Sequence, residues 1–176
     1  MGRYALNLVR ALLSSHEVGD YAIAYNLRAS VDIPDPLADL HRYTSPMGNK
    51  AWRLRNAITY FGAPPMDAFL DGADLYHSTG HLLPRLRRVR GVITLHDIIP
   101  LLLPDYHRPL NRIFLRLMIP RYLHRADEII AVSNSTKRDA MTLLDIDPNR
   151  ITVIPEAVSD NCRPVSDQKK LEAARS

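Results

Sequence analysis

The chain alternates short, nearly continuous apolar runs with longer stretches of helical period. Val92-Ile-Thr-Leu95, Glu128-Ile-Ile-Ala-Val132 and Ile151-Thr-Val-Ile154 are too short for helices and read as strands covered on both faces. Each gives way at once to polar residues: His96-Asp97, Ser133-Asn-Ser135-Thr136 and Pro155-Glu156. The segments between them are long enough for the crossovers that parallel neighbours require. In sheets of this kind ligands bind outside the carboxyl ends of the strands, so the polar residues after each run are the first candidates for chemistry.

The rest of the chain fits the same alternation. Ala5, Leu6, Val9, Leu12 and Leu13 have the spacing of an amphipathic helix over residues 3–15, and Tyr21 to Tyr25 reads as a short strand. Residues 30–50 are rich in Pro, Asp and Ser, which predicts a loop with a short strand near His41 to Tyr43. Trp52 to Phe61 forms a helix stopped by Gly62 and Pro64-Pro65, and Asp74 to His77 another strand. Pro109 suits the first turn of a helix reaching His124, and a further helix runs from Ser133 to about Leu144. The order predicts a Rossmann-like α/β domain over residues 1–158, a parallel sheet with helices on both faces, followed by a polar linker at 159–176. A doubly wound domain opens with a strand before its glycine turn, whereas Met1-Gly2 directly precedes the first helix. The reading therefore expects the first strand to be missing and its neighbours' backbone groups to lack a partner.

Composition narrows the class. A length of 176 residues and 46% hydrophobic content are enough for one cored domain, which excludes wholesale disorder. The longest nearly apolar stretch, Ile98 to Leu103, is broken by Pro100 and falls far short of the roughly 20 residues that span a bilayer. The amino terminus lacks the apolar core of a signal peptide, and a lone Cys162 forms no internal disulfide, so the expected location is cytoplasmic. A net charge of +4 allows attraction to phosphates without choosing among them. The basic clusters Arg85-Leu-Arg87-Arg88-Val-Arg90 and Arg53-Leu-Arg55 beside Trp52 read either as solvated surface or as peripheral contact with an anionic membrane. Aromatics at 7% do not interleave with them as in a nucleic-acid module, so no nucleic-acid partner is expected.

Several candidate residues have two readings. His96 and Asp97 at a strand's carboxyl end suit a functional pair, or a hydrogen-bonded edge. Ser133, Ser135 and Thr136 are a helix cap or ligand contacts, and Lys137 adds a positive charge that serves a phosphate or faces water. Asp145-Ile-Asp147 has metal-binding spacing but sits in the turn before the last strand, at the wrong edge of the sheet. His77-Ser-Thr-Gly-His81 lacks the further ligands of a zinc site, and acceptor contact or plain loop remain.

Together these residues resemble the amino-terminal, acceptor-side domain of a family 4 glycosyltransferase, one half of the two-domain GT-B fold. Gly2-Arg-Tyr-Ala-Leu-Asn-Leu8 resembles the end of the family's glycine loop and its first helix, and Leu75-Tyr-His77-Ser the strand before the acceptor cleft. Thr94-Leu-His96-Asp97 resembles the sugar-site strand, and the strongest match is Ala126 to Asp139 followed by Asn149-Arg-Ile-Thr-Val-Ile-Pro155. The resemblance implies retaining transfer of a sugar from a nucleotide-sugar donor to a hydroxyl of a glycan, lipid-linked or small-molecule acceptor. In it Gly2 approaches the donor diphosphate through its backbone N–H, His96 contacts the donor sugar, and Asp97 supports that geometry. His77, Ser133, Ser135, Thr136 and Lys137 are the implied acceptor or phosphate contacts. The nucleotide-sugar is a substrate, so no cofactor and no metal is expected. The family's second domain carries a closely spaced glutamate pair that Glu17, Glu128, Glu156 and Glu172 do not reproduce, so the donor-binding half is expected outside this chain. Glu156-Ala157 also stands where the family often has Asn-Gly. A chain of this kind is inactive alone, or is a non-catalytic binding domain derived from such an enzyme.

Overall fold

The computed structural model describes residues 2–15, 20–26, 37–106 and 108–158. The linker expected at 159–176 lies outside them, as do residues 30–36 of the predicted loop. The described elements are helix α1 (Gly2–Ser14), strands β1 (Ala22–Asn26) and β2 (His41–Ser45), helix α2 (Asn49–Ile58), strands β3 (Leu75–Ser78) and β4 (Arg90–Leu95), helices α3 (Ile99–Leu102) and α4 (Pro109–Arg125), strand β5 (Glu128–Ala131), helix α5 (Asn134–Leu144) and strand β6 (Ile151–Val153). All strand pairs are parallel, as the apolar runs and intervening helices predict. Boundaries move by one to three residues from the sequence expectation, and α3 was not foreseen because prolines interrupt its period.

The core lies where the three apolar runs meet α4 and α5. Ile93 and Leu95 of β4, Ile129 and Ala131 of β5 and Ile151 of β6 pack with Met118, Ile119, Tyr122 and Leu123 of α4 and Ala140 of α5. Burying each large aliphatic side chain there contributes roughly 1.5–3 kcal/mol. Register follows from the same pattern: Ile93 stands beside Ile129 and Ile129 beside Ile151, so the apolar rows stay on one level. Helix ends are set locally. Ser133 accepts the Thr136 N–H at 3.1 Å to cap α5, and Asp145, at φ 51°, ends it in the left-handed region.

The strands form two sheets. β3-β4-β5-β6 is one, and β1-β2 is a separate pair. The division falls between β1 and β3, the strands that the usual doubly wound order places on either side of the first strand. A second apolar cluster of Met66, Leu70, Leu86 and Val89 joins the parts, with Ala24, Tyr43 and Trp52 packed against it. Tyr43 also donates its hydroxyl proton to the Asp71 carbonyl at 2.9 Å. Both basic clusters are anchored here. Trp52 sits edge-on to Phe69, with ring centroids 5.1 Å apart. In the basic loop, the backbone N–H groups of Arg87, Arg88 and Val89 all point at the Asp67 carboxylate. Burial would raise the Asp67 pKa, but those N–H donors hold it below the usual carboxylate range.

Candidate functional site

Parallel strands bring their carboxyl ends to one edge, and the polar residues after β3, β4, β5 and β6 meet there. Thr94, the residue before the last of β4, is fully buried, and its Oγ1 lies 2.8 Å from His77 Nε2 and 3.1 Å from the Tyr4 hydroxyl of α1. Tyr4, Thr94 and His77 thus form one hydrogen-bonded chain across three elements. Burial lowers the pKa of His77, which favours its neutral ring. His81 is lowered chiefly by burial too, with His96 acting in the same direction and Asp97 opposing.

His96 is held from several sides. Its Nε2 donates to the Thr79 carbonyl at 3.1 Å, and its Nδ1 lies 2.6 Å from Glu156 Oε1. The Tyr4 ring stands edge-on at 5.0 Å and the His81 ring at 6.4 Å. The His96 carbonyl accepts the Thr136 hydroxyl at 3.3 Å. A carbonyl oxygen only accepts, so Nε2 is the ring nitrogen that donates to Thr79, and Nδ1 faces the Glu156 carboxylate. The imidazole is thereby fixed in orientation, while its side chain keeps 16% of its surface exposed.

The other predicted residues divide. Ser133 and Thr136 lie near His96 through the Thr136 hydroxyl, and they also cap α5, so both of their sequence readings have a structural counterpart. Asp97 Oδ1 accepts the Ile99 N–H at 3.0 Å, which places it in the turn leading to α3. Lys137 turns away from the edge: its ammonium donates to the carbonyls of Pro148 and Ile151 at 2.9 and 2.7 Å. Ser135 is exposed on the first turn of α5. Gly2 begins α1, and a Cβ added there would meet nothing within 4 Å. In the Asp145-Ile-Asp147 turn, Asp147 accepts the Asn149 N–H at 2.8 Å. Among the described residues no three His, Cys, Asp or Glu side chains gather as a metal-holding group.

Two participants, Tyr4 and Thr94, were not singled out by the sequence, and Glu156 was placed at the edge without a role. Tyr4 looked like one more residue of an amphipathic helix, and Thr94 like filler in an apolar run. Glu156 was legible: it follows the last strand at the same edge as His96, and the rule that singled out His96 applies to it equally.

Parallel strands with intervening helices define the chain as a Rossmann-like α/β domain. The model of Glycosyltransferase Family 4 matches residues 1–161, and the chain belongs to that family. No curated protein matches it.

Proposed function

We propose that this chain is the acceptor-facing part of a retaining glycosyltransferase that moves a sugar from a nucleotide-sugar to a hydroxyl of a glycan, lipid-linked or small-molecule acceptor. In this reading it works on the cytoplasmic side with a donor-binding half, and the nucleotide-sugar is a substrate rather than a cofactor. The supporting observation is the His96 ring, oriented by Thr79 and Glu156 and still partly exposed. Both ring nitrogens are engaged, so a sugar hydroxyl would hydrogen-bond this ring by taking the place of Glu156 at Nδ1, on an imidazole that Thr79 already orients. Gly2 adds the backbone N–H groups at the start of α1, with no side chain to hold a diphosphate off.

The test is protein-observed NMR on the full chain with a panel of nucleotide-sugars and hydroxyl acceptors. Binding should shift the His96, His77 and Tyr4 ring resonances and be lost in His96→Ala, while the melting transition stays cooperative. Ligands that bind His96→Ala as well as the parent, or that shift only residues away from this edge, would refute the assignment.

A further inference from the structure

Helix α4 is apolar on two sides, and only one is used by the core. Its inward residues Leu115, Met118, Ile119, Tyr122 and Leu123 are buried, yet Leu110, Ile113 and Leu117, spaced three and four apart, form a second row on the outside. Leu110 is 84% exposed and Ile113 62%. α2 and the turn that follows it repeat the arrangement: Leu54, Ile58 and Phe61 are exposed, while Asn56 and Ala57 face inward.

The two rows are neighbours. Arg53 near the start of α2 donates to Asn111 Oδ1 at 2.9 Å and stacks over Phe114 at 4.4 Å. Past the end of α2, the Arg121 guanidinium stacks over Phe61 at 5.1 Å. The helices therefore lie side by side in the same direction, and both outward rows face away from the sheet. Six large apolar side chains form one strip, whereas isolated exposed apolar residues would need no explanation.

Charge selects what covers the strip. Neither helix contains an Asp or Glu, while α2 carries Lys50, Arg53 and Arg55, and α4 carries Arg112, Arg116, Arg121 and Arg125. Arg112 pairs with Asp105, but among the described residues no ion pair involves Arg85, Arg121 or Arg125. Those three line an open cleft of about 400 Å³ with Tyr60 and His124 at the carboxyl end of α4, next to Phe61. An apolar strip flanked mainly by cations, with Asp105 neutralising only Arg112, matches an anionic bilayer surface: the rows enter the acyl boundary and the cleft meets lipid phosphates. No helix among the described residues is long and apolar enough to cross a membrane, so the contact is in-plane. We propose that the outer face of α2 and α4 docks this protein on anionic phospholipid, and that Leu54, Ile58, Phe61, Leu110, Ile113 and Leu117 are the inserting residues. The contact site is thus the paired helices, with Arg85 contributing to their cleft and Trp52 packed inward.

Co-sedimentation of the full chain with phosphatidylglycerol–phosphatidylcholine vesicles, against phosphatidylcholine alone, tests this. Binding should require the anionic lipid. It should fall at least tenfold in Leu110→Ser/Ile113→Ser/Leu117→Ser, whose positions are solvent-facing, and several-fold in Arg121→Ala. Arg138→Ala, on the exposed side of α5, should bind as the parent does, and circular dichroism melting should show each variant folded. Equal binding to neutral vesicles, or no loss in the triple variant, would overturn the proposal. So would a lipid-free sedimentation-velocity result in which the parent is a dimer and the triple variant a monomer, since a second copy would then cover the strip.

Discussion

The four-stranded part of the molecule and its α1–β1–β2 part are built to different standards. β4, β5 and β6 contribute fully buried side chains to a core shared with α4 and α5, whereas α1 buries none of its residues and β2 only Ser45. A strand buried on both faces is held by the whole core, but an amphipathic helix with half-exposed apolar positions is held by little more than its edges. The candidate site straddles this difference. Thr94, His96 and Ser133 stand on the firm side, and Tyr4 reaches them from the weak one through a single hydroxyl and a ring edge.

Replacing Leu123, which has no exposed surface, by Ala should cost about 3 kcal/mol in urea unfolding, whereas Leu12→Ala in α1 should cost less than about 1 kcal/mol. Equal losses would erase the contrast. Next in size is Asp67, whose carboxylate ties the basic loop to the second cluster. Asp67→Ala should cost about 2–3 kcal/mol at pH 7, because it orphans three backbone N–H groups. The folded-state pKa of Asp67 is depressed, so its ionic contribution is present above the unfolded value of about 3.9 and is lost as pH falls through the lower folded one. The gap between parent and variant should therefore narrow in acid, and a gap independent of pH down to about 2 would contradict the assignment.

Two smaller substitutions probe each side separately. The Tyr122 hydroxyl is buried without a hydrogen-bond partner among the described residues. Tyr122→Phe should therefore raise stability by about 1 kcal/mol, and destabilisation would mean that the hydroxyl is satisfied. Tyr4→Phe removes the link from α1 to Thr94 at a cost of about 0.5 kcal/mol. Its clearer readout is hydrogen exchange, which should speed up in α1 and stay unchanged in β4 and β5.

What could be read from the sequence follows the same divide. Strands buried on both faces leave continuous apolar runs, so β4, β5 and β6 and their carboxyl-edge residues were legible, His96 among them. The roles of Lys137 and Asp97 were not. A lysine stem reaches either a ligand or the Pro148 and Ile151 carbonyls, and only three-dimensional placement shows the second. Tyr4 was hidden because helical periodicity says which face is covered without saying which residue across the sheet will touch it. The outer strip was hidden for a related reason: Leu110, Ile113 and Leu117 extend an apolar pattern that already contains the core face.

The break between β1 and β3 has a consequence for how the protein behaves in bulk. Among the described residues neither strand has a strand partner on the side facing the break, and Leu75 of β3 is 54% exposed. Unpaired edges are templates for other strands. A strand from another molecule can pair there wherever the break is not filled by a strand of the same polypeptide, and light scattering that rises with concentration would report such pairing.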